Sequence, residues 1–194
     1  MGKYNVENQD EYLLKHNLLD ADTFYELEQL EAVAFSIRST QLEEEGYDWL
    51  FPISIKCIKQ LHYYLFQDIY AFAGEIRSVQ LIKDNTRFCQ AAFVHQNLEG
   101  ICEQIKKEPI WISREQAAKR LAYYKTELNM IHPFREGNGR IIRIIIRELA
   151  KMHNFYWNFN EIDNSSYKHA MIESVTNNRL FQTIIFETLK EGKS

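Results

Sequence analysis

Apolar residues recur along most of this chain at three- and four-residue intervals, the spacing of helices with one buried face. The first twenty residues are polar and weakly patterned. A helix is predicted from Thr23, where Thr23 and Glu26 have capping-box spacing and Phe24, Leu27, Leu30, Ala34 and Ile37 form a stripe. The acidic stretch Glu43-Glu44-Glu45-Gly46 reads as a solvated loop. A second helix starts near Ser54, with Ile55, Ile58, Leu61, Leu65 and Ile69 on one stripe, and stops before Ala73-Gly74.

The pattern changes from Ile76 to Phe88, where Val79 and Leu81 precede a polar Lys83-Asp84-Asn85-Thr86 turn and no helical period survives. A short β-hairpin is predicted there. Helices resume over about 92–107, closed by Pro109, and from Ser113, which has Gln116 at capping-box spacing, through Ala117, Leu121, Tyr124 and Leu128. That helix must end at His132, because a proline disfavours helical geometry in the residue before it. Another opens inside Gly137-Asn138-Gly139 and buries Ile141, Ile144, Ile145 and Leu149; two more are expected over about 166–174 and 178–189. The expectation is an all-α bundle with one small β-hairpin, a single domain over 1–194 with its core at about 20–190.

Composition agrees with that reading and narrows the function. With 45% hydrophobic residues, 12 Phe and 11 Tyr there is material for a core, and only 7 Gly and 3 Pro interrupt helices. A net charge of −4, with acids and bases interspersed, disfavours direct nucleic-acid binding. Cys57, Cys89 and Cys102 form no CxxC pair and read as buried thiols in a reducing compartment. Met1-Gly2-Lys3-Tyr4 opens no apolar leader, and Ile144-Ile145-Ile146 is bounded by Arg143 and Arg147, so no membrane association and a cytoplasmic location are expected. The histidines His16, His62, His95, His153 and His169 show no metal-ligand spacing.

The chemistry gathers between Ile131 and Arg143. Free amides at a helix start, with no Cβ at Gly137 and Gly139, make a cradle for an anion, and the helix dipole adds roughly half a positive charge there. Arg140 and Arg143 are three residues apart, so both can reach one ligand. Beside such a cradle the carboxylate of Glu136 would repel phosphate unless it shared a Mg²⁺ ion with it. The unperturbed pKa of an imidazole, near neutrality, suits His132 to taking a proton from a hydroxyl. Singly, these features are a helix cap, a turn and a solvated face, and Arg147 is expected to be an ion-pair partner. Together they serve phosphoryl or nucleotidyl transfer. A P-loop would need GxxxxGK(S/T), which is absent.

His132-Pro133-Phe134-Arg135-Glu136-Gly137-Asn138-Gly139-Arg140 resembles the signature HPFx(D/E)GN(G/K)R of the Fic family at every defined position. Leu65-Phe66-Gln67-Asp68-Ile69-Tyr70 and Ala73-Gly74-Glu75-Ile76-Arg77 are similar to the stretch preceding the family's hairpin. The resemblance implies a Fic-fold helical bundle that transfers AMP from ATP to a Tyr, Thr or Ser hydroxyl of a target protein. His132 would be the base, Phe134 a core anchor and Glu136 the Mg²⁺ ligand. Gly137, Asn138 and Gly139 would form the anion hole, with the Asn138 side chain at the α-phosphate, and Arg140 and Arg143 would bind the outer phosphates. Ser78, Val79, Gln80, Leu81, Ile82 and Lys83 would belong to a flap that docks the target.

Fic proteins are generally restrained by a helix carrying (S/T)xxxE(G/N), whose Glu would pair with Arg143. Ser39–Glu43, Thr40–Glu44 and Thr183–Glu187 have the spacing but lack the final residue, and Glu191-Gly192 has Glu187 where the hydroxyl belongs. The resemblance therefore implies a toxin restrained by a separate small antitoxin, with a DNA topoisomerase as one candidate target. Relatives that transfer phosphate carry Lys in place of Gly139, which disfavours that group here. Transfer of UMP or phosphocholine, and a non-catalytic module that only binds nucleotide, compete with AMP transfer.

Overall fold

The computed structural model describes residues 9–83 and 86–192. Asp84 and Asn85, part of the expected hairpin turn, lie outside the described residues. Among the described residues the order is α1 (Gln9–Lys15), α2 (Phe24–Glu45), α3 (Ile55–Phe66), β1 (Ile82–Lys83), β2 (Thr86–Arg87), α4 (Val94–Lys106), α5 (Arg114–Ile131), α6 (Asn138–Met152), β3 (Phe155–Trp157), α7 (Asn164–Glu173), α8 (Arg179–Thr188) and β4 (Leu189–Glu191). The chain divides into two compact units, residues 1–106 with 132–138, and residues 107–131 with 139–194. Among the described residues no helix is long and apolar enough to cross a membrane.

In the first unit, α2 starts as its sequence dictates. The Thr23 hydroxyl accepts from the Glu26 amide at 3.2 Å, and the Glu26 carboxylate accepts from the Asp22 amide at 3.1 Å. The expected stripe is a poor guide to its burial, since Leu27 is buried while Leu30 and Ile37 stand exposed. Glu43, Glu44 and Glu45 form the last turn of this helix rather than a loop. Gly46, at φ 84°, is the stop, and the Tyr47 and Tyr64 hydroxyls donate to Glu43 and Glu45 at 2.6 Å each. In α3 the stripe holds: Ser54 caps it, and Ile58, Leu61 and Leu65 are buried.

That helix ends at Phe66, earlier than expected, because the following backbone has other partners. The Leu18 amide donates to the Ile69 carbonyl at 2.9 Å, and the Ala71 amide to the His16 carbonyl at 3.0 Å. The same segment explains α1, a seven-residue helix too short to show a period, which buries Leu13 and Gln9. The hairpin is present but small, pairing Ile82 with Arg87 and Lys83 with Thr86.

In the second unit, Ser113 and Gln116 cap α5 reciprocally, the hydroxyl accepting from the Gln116 amide at 3.2 Å and the carboxamide from the Ile112 amide at 3.0 Å. The stripe expected on α6 is wider than four residues, for Ile142 and Ile146 are buried beside Ile141, Ile144, Ile145 and Leu149. Arg147 pairs with Glu148 at 2.7 Å. A β3–β4 ladder, Phe155 to Trp157 against Glu191 to Leu189, was not legible in the sequence. It ends α8 at Thr188, whose hydroxyl accepts from the Trp157 indole at 3.1 Å.

Of the three thiols only Cys102 is buried, and desolvation pushes it up to about 12; Cys57 and Cys89 are half-buried, against expectation. Near α5, Arg120 grips Glu108 through two 2.7 Å hydrogen bonds, and the Tyr124 hydroxyl donates to the same carboxylate. Burial would raise the Glu108 carboxyl, but hydrogen bonds from Arg120, Tyr124 and Trp111 outweigh it and hold the group below 4.5. Nearby, His153 is buried and stacked on Trp111 at 3.8 Å, its Nδ1 without a hydrogen-bond partner among the described residues.

Burial holds the His153 imidazole below its ordinary 6.5, so the unfolded chain takes up a proton that the folded chain refuses. Stability should therefore be full above pH 6.5 and decline as the pH falls below it. His153→Phe keeps the stack and removes the proton, and should flatten the slope of Tm against pH between about 7 and 5. An unaltered slope would contradict the assignment. Packing around the first glycine of the loop gives a second expectation. Gly137 sits at φ 78°, and a Cβ there would lie 2.3 Å from Cζ of Phe66. Gly137→Ala should cost roughly 2–4 kcal/mol, read as a Tm loss of about 5–15 °C. Gly139→Ala, where the nearest group is an Arg143 nitrogen at 3.8 Å, should cost far less.

Candidate active site

Residues 132–138 form a loop whose backbone is held at almost every step. His132 leaves the helix that Pro133 forbids it to continue, and takes φ 48°. A left-handed conformation costs a residue with a Cβ about 1–2 kcal/mol, and persists where the surroundings impose it. Here the Arg77 side chain donates from Nε to the His132 carbonyl at 2.7 Å, and the Arg77 amide donates to the Pro133 carbonyl at 2.9 Å. The imidazole itself is buried, stacked on the ring of Phe88 with centroids 3.8 Å apart.

The rest of the loop is anchored from within. Phe134 is fully buried and stacks on His62 at 3.9 Å. The Gly74 amide donates to Nδ1 of His62 at 2.8 Å, which leaves Nε2 as the nitrogen that donates to the Glu136 carbonyl at 3.1 Å. His62, a stripe neighbour in α3 with no distinguishing spacing, is thus a supporting residue that sequence reasoning missed. Asn138 turns its side chain back onto the loop, accepting from the Phe134 amide at 2.8 Å and donating to the Phe134 carbonyl at 2.7 Å. Both polar ends of this carboxamide are thus bonded to Phe134, and each keeps a further hydrogen-bonding position. Arg135 is drawn to α1, with its guanidinium 3.5 Å over the Tyr12 ring and its carbonyl accepting from Gln9 at 3.2 Å.

Glu136 is only 3% exposed, and one carboxylate oxygen accepts from the Gly137 amide at 2.8 Å. Among the described residues no group of three or more His, Cys, Asp or Glu side chains could hold a metal by itself. A lone buried carboxylate does fit an ion whose remaining ligands are substrate phosphate oxygens and water, the usual manner of Mg²⁺.

The hairpin lies in the same unit as His132. Of the flap residues expected from Ser78 to Lys83, only Ile82 and Lys83 are in a strand; Leu81 and Phe88 are buried together, with Val79 packed on them. The Gln80 carboxamide donates to the carbonyls of Leu81 at 3.1 Å and Phe88 at 2.9 Å, bridging the two arms. Ser78 and Lys83 are exposed.

The second unit carries Gly139, Arg140 and Arg143 on the opening turns of α6. Arg143 lies 4.8 Å over the ring of Phe159. Desolvation lowers its affinity for a proton, the neighbouring Arg140 does the same, and the Tyr167 hydroxyl acts against both. Behind it is a residue the sequence did not flag, Lys125, 1% exposed, with Nζ 5.6 Å from the Tyr167 ring centre. Burial pushes Lys125 down, Tyr167 opposes the shift and Arg143 adds to it.

Known proteins bear on this geometry. The protein adenylyltransferase VbhT of Bartonella schoenbuchensis is 31% identical over 98% of this chain, which spans 41% of that protein's length. An Escherichia coli protein named "Probable protein adenylyltransferase Fic" is 27% identical over 84% of each chain. Among solved structures, the ADP-bound N-terminal Fic domain of a VirB-translocated Bep effector from Bartonella quintana superposes with a TM-score of 0.80 at 18% identity, covering 91% of each chain. The BepC protein of Bartonella tribocorum with bound AMPPNP does so at 0.74 and 16% identity, covering 89% of this chain and 90% of its own. At such identities the structures establish the shared helical fold. Membership follows from the family's own sequence pattern, which matches residues 52–150, the hairpin and the whole His132–Arg140 segment included: this chain belongs to the Fic/DOC family.

Proposed function

We propose that this chain is a protein adenylyltransferase that moves AMP from ATP to a Tyr, Thr or Ser hydroxyl of a target protein. The observation that carries the reading is the His132–Asn138 loop: an imidazole set against Phe88, a buried carboxylate at Glu136 and amides opening α6, all within seven residues. The sequence relatives are named adenylyltransferases, and two fold neighbours hold adenine nucleotides.

In this reading His132 takes the proton of the target hydroxyl as its oxygen bonds to the α-phosphorus. The bond from that phosphorus to the bridging oxygen breaks, and pyrophosphate leaves. The amides of Gly137, Asn138 and Gly139 would receive the charge developing on the α-phosphate. Arg140 and Arg143 would bind the outer phosphates. Glu136 would hold Mg²⁺, which when bound offsets phosphate charge. The flap residues Ser78 to Lys83 would align the target beside the nucleotide; among the described residues β1 and β2 form a two-stranded sheet, which supports this role.

A separate antitoxin as the source of inhibition is supported by two features. No complete (S/T)xxxE(G/N) occurs in the chain, and among the described residues Arg143 meets Tyr167 and Phe159 rather than a carboxylate.

With α-labelled ATP, label should pass to protein, and His132→Ala should reduce its rate about 10²–10⁴-fold. Label passing from the γ position alone would overturn AMP transfer. Glu136→Gln should raise the magnesium concentration required for half-maximal rate. Glu187→Gly should leave the rate of the isolated chain unchanged; marked activation would place the inhibitory carboxylate within this chain.

A further inference from the structure

The guanidinium of Arg77 reaches the catalytic loop and both arms of the hairpin at once. Its side chain is 3% exposed. Nη1 donates to the Val79 carbonyl at 2.5 Å, Nη2 to the Cys89 carbonyl at 2.6 Å, and Nε to the His132 carbonyl at 2.7 Å. Its own amide donates to the Pro133 carbonyl at 2.9 Å. Val79 and Cys89 are the two roots of the hairpin, one on the way in and one on the way out. One rigid, planar fork therefore joins both arms of the flap to the residue that bears the imidazole.

Planarity matters to what such a junction can do. The five N–H bonds of a guanidinium point in fixed directions in one plane, so anchoring two of them determines where the third points. Displacing either hairpin root must move or break the bond to His132, whose left-handed backbone depends on outside support. A second tie runs in parallel: Phe88, next to Cys89, stacks on the His132 ring. The hairpin thus meets His132 twice, at its carbonyl through Arg77 and at its imidazole through Phe88.

From this we infer that Arg77 is a positioning residue that couples the docking flap to the catalytic histidine. A target strand seated on the flap is placed, through Arg77, in a fixed relation to the group that removes its proton. The inference rests on the adenylyltransferase reading for its functional half. Its mechanical half, that flap and His132 move as one body, stands by itself. The residue was legible in the sequence only as the end of Ala73-Gly74-Glu75-Ile76-Arg77, without a role.

The test compares the whole chain with its Arg77→Lys variant, which keeps the charge and loses the fork. By NMR, the His132 ring protons of the variant should lose part of the upfield shift that Phe88 imposes, and the Phe88 amide, which donates to the Leu81 carbonyl at 3.2 Å, should exchange at least about tenfold faster. The Kd for ATP should stay within about threefold while kcat for transfer of α-labelled AMP falls by about tenfold or more. Unchanged His132 signals and unchanged kcat would overturn the coupling, as would a loss confined to ATP affinity. Should the variant not fold, exchange in the unmutated chain decides: the amides of Arg77, Phe88 and Phe134 should open together, and independent opening would refute the inference. If the unmutated chain transfers no AMP, the adenylyltransferase reading fails, while the ring signals and exchange still judge the mechanical coupling.

Discussion

A histidine that must leave a helix, yet cannot relax, is the constraint on which this molecule turns. Pro133 ends α5, and His132 enters the left-handed region without the freedom of a glycine. An isolated loop would escape that conformation. This one is prevented by two carbonyls bonded to Arg77, a ring clamped on Phe88 and a nearby residue, Phe134, sunk into the core against His62. The imidazole is thereby held in one place, as its proposed role of general base would require, because proton transfer tolerates little error in distance.

The same economy governs the polar groups around it. Asn138 and His62 are satisfied within the loop, and each of these bonds removes a way for the loop to open. Glu136 is treated differently, a buried acid beside the amide of Gly137, at the end of a helix where negative charge is favoured. In the second unit Arg143 and Lys125 are desolvated beside Tyr167, and burial lowers the proton affinity of both. Stability given up at such places is restored in the cores, by Ile141 to Ile146 on α6 and by Ile58, Leu61 and Leu65 on α3.

Much of this was readable in advance where the determining forces are local. Thr23 and Ser113 cap helices as their spacing foretold, Ser54 caps the helix expected to start near it, and α6 begins within Gly137-Asn138-Gly139. Where the deciding partner was distant, the reading failed. The acidic turn of α2 reads as a loop from its charge, which implies solvent without excluding helix; α3 lost its last turn to backbone pairing with residues 16–18; and the β3–β4 ladder joins segments more than thirty residues apart.

By itself, then, the sequence determined the helical class, most helix starts and the presence of a histidine, a carboxylate and two arginines in one short run, since capping, periodicity and the veto of proline act between neighbours. Only the tertiary structure decided which side of Asn138 faces the loop, that His62 braces Glu136, that Lys125 is buried behind Arg143, and that Arg77 joins the flap to His132. Those outcomes depend on hydrogen bonds and burial between residues far apart in the chain, and a lone residue's type records neither its distant partner nor its distance from water.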